Sequence, residues 1–161
     1  MAFNQSSERS GWRDHQDEKI SVMHQRWHRD LKLVDLDTVW VEYKNDFGKP
    51  RPAAIIDYKA FLPVQLNLNE WQYAIQRQLA DGVQVPFFIV FRTGTEAFLR
   101  FTVRSGNWRA SNAIKEFTGR KHSGDAPMDE EGFIRFQCFI RNQPVPEAEL
   151  RAYIDGYRKA S

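Results

Sequence analysis

Little in this sequence marks a specialised class by composition. Cys138 is the single cysteine, so neither an intramolecular disulfide nor a zinc-thiolate cluster can form; its expected role is that of a small buried hydrophobe. No uninterrupted apolar run approaches the roughly 18 residues that span a bilayer, and the polar opening MAFNQSSERS has no apolar stretch of the kind a secretory signal needs. A soluble, cytoplasmic protein with no membrane partner is therefore expected. Neither sign of charge dominates. The 23 Lys and Arg against 21 Asp and Glu leave a net charge of +2, which neither requires nor excludes a nucleic-acid partner. With 7 prolines and 9 glycines, collagen-like and low-complexity classes are excluded. A P-loop and a G-x-S-x-G elbow are both missing, and Cys138 has no histidine near it in sequence. NTPase, serine-hydrolase and thiol-protease chemistry are set aside on those grounds.

What the chain does have is apolar and aromatic mass. Of its 161 residues 42% are hydrophobic and 14% aromatic, enough to bury one core without staples. No internal repeat or Pro/Ser-rich linker interrupts it. The expected organisation is a flexible N-terminus over 1–10 and a single domain over 11–161.

Periodicity orders the elements. Ile20, Met23, Trp27 and Leu31 predict an amphipathic helix from Trp12 to Leu31. The β-branched and aromatic residues of Asp35 to Lys44 predict a strand. Turn formers from Asn45 to Pro52 separate it from a second strand, Ala53 to Lys59, so the two read as an antiparallel hairpin with a long tip. Leu68, Trp71, Ile75 and Leu79 predict a second helix, capped by Asn67 or Asn69 and stopped by Gly82, with that stripe packed on the sheet. Val85 to Phe91 is apolar on both alternating faces, as in a strand covered on both sides, and Pro86 fits only near its start. From Ala97 to Arg104, Leu99, Phe101 and Val103 alternate with Arg100, Thr102 and Arg104. Gly132 to Ile140 reads as another strand, with Ile134, Phe136, Cys138 and Ile140 inward. Pro146 to Lys159 closes as a helix bearing Leu150, Tyr153, Ile154 and Tyr157. The fold class is α/β or α+β, a mixed sheet flanked by helices.

The chemistry centres on Asp57-Tyr58-Lys59. Residues two apart in a strand share a face, so a carboxylate and an ammonium project together at the end of an apolar strand while Ile56 and Tyr58 point the other way. The competing structural reading is a rim salt bridge. The same spacing at Asp17/Lys19 and Asp30/Lys32 falls on the first helix or its end, where residues two apart do not share a face. Glu42/Lys44 ends the first arm of the hairpin and follows no acidic strand start. Asp57/Lys59 alone sits on a second arm whose first arm begins with Asp35 and Asp37.

The segment Asp35 to Lys59 resembles the active-site hairpin of the PD-(D/E)XK nuclease superfamily. In that superfamily an acid opens one strand and a (D/E)-x-K triplet closes the next, inside a restriction-endonuclease-like core of helix, three strands, helix and strand. The resemblance extends through about Phe91 and is greatest to small phage or prophage-type nucleases. Strands and a helix after Phe91 would be additions to that core. No proline precedes the first acid, two aspartates share its place, and the triplet begins with Asp where Glu is commoner.

The resemblance implies a magnesium-dependent deoxyribonuclease, with manganese as a substitute. Asp37 and Asp57 would ligate the metal, with Asp35 as an outer ligand and the main-chain carbonyl of Tyr58 as a further donor. Asp37 is preferred to Asp35 because it directly opens the strand. Lys59 would orient or deprotonate the attacking water, or stabilise charge on the phosphate oxygens. Phosphodiester hydrolysis needs charge neutralisation and a hydroxide-like nucleophile near neutral pH, and a carboxylate-bound divalent metal supplies both. In branches of the superfamily a helix glutamine and an acid on the first helix support the site; Gln72, Gln76 and Glu18 stand at those places.

DNA contact is assigned to two basic groups. Arg26, Arg29 and Lys32 lie on the first helix with His15, His24 and His28; Arg100 and Arg104 lie on one strand face, with Arg92 and a loop Trp108-Arg109 nearby. His24 and His28 have zinc-chelating spacing but no third ligand. The flexible loop carrying Arg120 and Lys121 could clamp a backbone. A homodimer is compatible with the superfamily. The alternative is a nuclease-like fold kept as a binding module for nucleic acid or protein, without turnover.

Overall fold

The structure of the protein, a computed structural model, describes residues 38–42, 49–60, 62–63, 66–95, 98–122 and 124–160, with side chains through 156. The chain divides into two compact units, Met1–Asp35 and Leu36–Ser161. Every described residue belongs to the second, so the amphipathic segment from Trp12 to Leu31 lies outside the described residues.

In the second unit, β1 (Thr38–Glu42), β2 (Arg51–Lys59), β3 (Phe87–Thr95), β4 (Phe98–Ser105) and β5 (Ala126–Asp129) form one sheet in chain order. β2 and β3 run parallel and the other neighbours antiparallel. Parallel neighbours need a long crossover, and α1 (Trp71–Gly82) lies within it. Helices α2 (Trp108–Thr118), α3 (Glu130–Ile140) and α4 (Glu147–Ala160) complete a mixed-sheet α+β fold. The hairpin of β1 and β2 is present as expected, with Thr38 opposite Ile56.

Phe87 to Phe91 are all fully buried, because β3 is central and covered on both faces. Pro86 stands immediately before it, where its missing N–H costs no ladder bond. On one face Phe87, Ile89 and Phe91 pack with Ile55, Tyr73 and Ala80 beside α1. On the other, Phe88 and Val90 pack with Trp40, Phe101, Ile114 and Phe136 against α2 and α3.

Neither Asn67 nor Asn69 caps α1, whose N-cap residue is Glu70 and has no side-chain cap bond, and three further expectations are corrected. Gly132 to Ile140 is a helix. Asp129 accepts a hydrogen bond from the Gly132 N–H at 2.8 Å, and Glu130 and Glu131 occupy the first turn, a favourable N-terminus. Phe133 and Phe136 are buried at helical spacing, with Ile140 packed beside them. The alternation of Ile134, Phe136, Cys138 and Ile140 shares only Phe136 and Ile140 with that period, and Cys138 is half-buried on α3. Trp108-Arg109 is the first turn of α2, capped by Asn107, whose side chain accepts from the Ala110 N–H. Gly119, at φ 66°, ends that helix, a left-handed conformation that glycine adopts without a Cβ penalty.

The third correction concerns α1. Its buried residues are Tyr73, Gln76 and Ala80, whereas Trp71, Ile75 and Leu79 are 45%, 39% and 45% exposed. Both sets fit a helical period, and the crossover geometry between β2 and β3 selects the less hydrophobic one.

Candidate functional site

β2 ends in an apolar run that inserts Ala54, Ile55 and Ile56 into the sheet. Asp57 follows them, 1% exposed. Lys59 extends its ammonium to 2.9 Å from Asp57 Oδ2, the two side chains being 19% and 1% exposed. The pair is thus side by side on one face, with the carboxylate buried rather than at a solvated rim. Ile56 and Tyr58 join the core on the opposite face. Burial raises the Tyr58 hydroxyl above the ordinary tyrosine value, and hydrogen bonds with the Trp40 and Gln137 side chains partly oppose that shift. The phenol of Tyr58 is therefore remote from the Asp57 face; only its main chain is available to the role expected of it.

α1 supplies the lid over this end of β2. The Lys59 Nζ lies 5.7 Å from the Tyr73 ring centroid, within the range of a cation–π attraction. Gln76, three residues further along the helix, is 1% exposed and shares Tyr73's buried side. Gln72 is half-buried. Of the two glutamines, Gln76 is the one turned toward the sheet.

Cross-strand register extends the face. Asp57 is level with Ile89 and then Arg104, and Lys59 with Phe91 and then Thr102. Arg104 is thus two strands from Asp57 on the same side, roughly 10 Å away by strand spacing. Its guanidinium sits 4.9 Å from the Phe91 ring centroid and binds Asp125 through two hydrogen bonds of 2.7 Å. Those bonds hold its pKa above the ordinary arginine value. Arg120 Nη1 donates to the Asp125 carbonyl at 3.3 Å, so Arg104 and Arg120 converge on one aspartate.

The expected second cationic surface is divided. Arg100 shares Arg104's face and is exposed, but Arg92 is opposite Phe101 in the ladder and faces the other way. Arg109 stacks on Trp108 at 4.6 Å and lies 3.6 Å from Asp81. Lys121 is exposed in the loop before β5. Asp35, Asp37, Glu18, Arg26, Arg29 and Lys32 lie outside the described residues, as do His15, His24 and His28.

Two site residues escaped the sequence reading. Tyr73 carried a signal, its three-residue spacing from Gln76. Asp125 carried none, because its pairing with Arg104 depends on the long-range contact of β4 with the chain entering β5. Glu42, 5% exposed, is a further buried carboxylate, held by Arg51 across the hairpin at 2.7 Å. Among the described residues no group of three or more His, Cys, Asp and Glu side chains is placed to hold a metal, and no helix is long and apolar enough to cross a membrane. Compared with protein-family models, curated proteins and solved structures, the chain finds no match.

Proposed function

We propose that the protein is a divalent-metal-dependent nuclease that hydrolyses phosphodiester bonds in DNA, with Asp57 as a metal ligand and Lys59 as the cation beside it. The observation that carries the reading is the placement of this pair, a buried carboxylate with an adjacent ammonium at the carboxyl end of one of two parallel strands. Open sheets with parallel strands bind ligands at that end. Asp57 offers hard oxygen donors suited to magnesium or manganese, and so fits as one half of a metal site. The other half is assigned to Asp37. Thr38, which follows Asp37 in the sequence, pairs with Ile56, which precedes Asp57.

A divalent metal, when bound, supplies charge neutralisation at the phosphate and an acidified water. The chain's own residues do the rest. Lys59, beside the Asp57 carboxylate and near the Tyr73 ring, is assigned the role of stabilising the negative charge that grows on the phosphate oxygens. Gln76 supports the site from α1. Arg100, Arg120 and Lys121 are exposed cations suited to the flanking DNA backbone. A phage-type origin is proposed from the family resemblance.

The test is cleavage of single-stranded and duplex DNA by the purified chain with magnesium, with manganese and with a chelator. Metal-dependent cleavage is expected, and Asp57→Asn and Lys59→Met should each lose at least about a hundredfold in rate while keeping the native circular dichroism. Full activity in either variant would reject the assignment. A second reading, a module that binds without turnover, is favoured by the outward stripe of α1, where Trp71, Ile75, Leu79 and Val83 are 45%, 39%, 45% and 56% exposed. Such a stripe suits a protein partner, a second copy included. Binding of DNA or protein with no cleavage under any metal would select it.

A further inference from the structure

The geometry around Asp57 bears on how a cation reaches the site. Asp57 is 1% exposed, and a carboxylate so buried persists as an anion only beside a counter-ion. Lys59 fills that place, 2.9 Å from Oδ2. A second cation on the same carboxylate would stand within a few ångströms of the ammonium, where like charges repel strongly in a partly desolvated site. Among the described residues the ammonium also has an aromatic surface within reach. The Tyr73 ring, 7% exposed, has its centroid 5.7 Å from Nζ, and an aromatic face attracts a cation without competing for the carboxylate.

From these contacts we infer that Lys59 is the resident counter-ion of Asp57, that a divalent cation must displace it from the carboxylate, and that Tyr73 retains the displaced ammonium inside the site. This rests on the metal-dependent reading above and adds an order of events to it. Metal binding frees Lys59 from Asp57, so the cation becomes available to a phosphate only once the metal is in place. Tyr73 is a positioning residue in this scheme, since it acts through Lys59.

The test is calorimetric titration of the full chain with Mn2+ and Mg2+, without nucleic acid. Lys59→Met removes the competitor and should bind either ion about tenfold more tightly than the wild type. Tyr73→Leu, which lets the ammonium fall back on Asp57, should weaken binding a few-fold, and Tyr73→Phe, which keeps the ring, should restore it. Asp57→Asn should abolish binding. If the wild type binds metal and Lys59→Met binds no more tightly, the competition is refuted while the metal site stands. If neither binds, or if Asp57→Asn binds like the wild type, the metal assignment falls and this inference with it. Should Lys59→Met fail to fold, the wild type itself decides. The Lys59 Cε and Nζ resonances, assigned with Lys59→Gln or Lys59→Arg, should shift as Mg2+ saturates the site, and resonances that stay fixed at saturation overturn the proposal.

Discussion

Trp71 and Tyr73, two residues apart at the start of α1, face opposite sides of the helix: Tyr73 is 7% exposed, beneath the Lys59 ammonium, while Trp71 is 45% exposed. Consecutive helical residues are separated by about 100°, so a two-residue step turns a side chain nearly to the opposite side. Stability should follow the buried side. Tyr73→Ala removes a packed ring and should cost about 3 kcal/mol. Trp71→Gln and Leu79→Gln touch the exposed stripe and should each change stability by less than about 0.5 kcal/mol. Urea denaturation of the three variants checks this. A large loss in Leu79→Gln would mean that the stripe is covered in solution.

The hairpin, the central strand and the Asp57/Lys59 pair were legible because each depends on local pattern. Alternation fixed which way Asp57 and Lys59 point, and Phe87 to Phe91 announced a strand buried on both faces. α1 was legible as an element but not in orientation. Its most apolar stripe and its buried stripe are different, and only the crossover from β2 to β3 decides between them. Gly132 to Ile140 shows the complementary difficulty. Its alternating and helical readings share Phe136 and Ile140, and the deciding signals are the Asp129 cap and the acidic first turn. The Arg104–Asp125 pair joins residues that no local pattern relates, so Arg104, assigned to the basic surface from the sequence, is already paired within the fold.

Lys59 and Asp57 should be unequal in their contributions to stability. Lys59→Ala leaves a carboxylate that is 1% exposed without its 2.9 Å counter-ion. Asp57→Ala leaves an ammonium that retains access to solvent and the Tyr73 ring. Removing one partner of a buried pair costs about 3 to 5 kcal/mol, and the Lys59 deletion should lie nearer the upper value. The double variant should be more stable than the sum of the two losses requires, by about 1 to 3 kcal/mol. Chemical denaturation of the four proteins measures that coupling. Additive losses would mean that the pair contributes nothing as a pair.

Asn107 joins three elements through one side chain. Its Oδ1 accepts from the N–H groups of Ala110 and Phe87, both at 3.0 Å. Its Nδ2 donates to the Val85 carbonyl at 3.0 Å and to Asp81 Oδ1 at 2.8 Å. The residue thereby caps α2, fixes the start of β3 and ties both to the end of α1. Asn107→Ala should cost about 2 to 4 kcal/mol, since a cap is lost and buried backbone groups are left unpaired. Asn107→Asp keeps the accepting oxygen but replaces the donor with a carboxylate facing Asp81. It should therefore fall between the wild type and Asn107→Ala near neutral pH. Thermal unfolding of the two variants, with equal losses as the contrary result, tests the division of labour.

Acid should loosen the contact between α3 and α4. Arg135 donates to Glu147 at 2.7 and 2.8 Å, and those hydrogen bonds, with the guanidinium charge, hold the Glu147 carboxyl below its ordinary value. A depressed carboxyl contributes stability above its unfolded pKa and loses that contribution as pH falls through its folded one. The pair is exposed and therefore screened by salt. Glu147→Gln should remove a small part of the acid sensitivity at low ionic strength and none in high salt. Unfolding midpoints across the carboxylate range, at both ionic strengths, measure it.

Alkali should act through Tyr58 in the opposite sense. Burial raises its hydroxyl above the ordinary value of 10.0, against the pull of its bonds with Trp40 and Gln137. The folded protein therefore keeps this proton to higher pH than the unfolded chain does. The contribution of Tyr58 is complete below the unfolded value, and it declines as pH rises past that value toward the folded one. Tyr58→Phe cannot ionise, so its stability should be lower at neutral pH, where two hydrogen bonds are lost, and should fall less steeply in alkali. Urea midpoints of both proteins between about pH 8 and about pH 11 follow the difference. The gap between them should narrow as pH rises. A gap that stays constant would place the Tyr58 hydroxyl in contact with solvent.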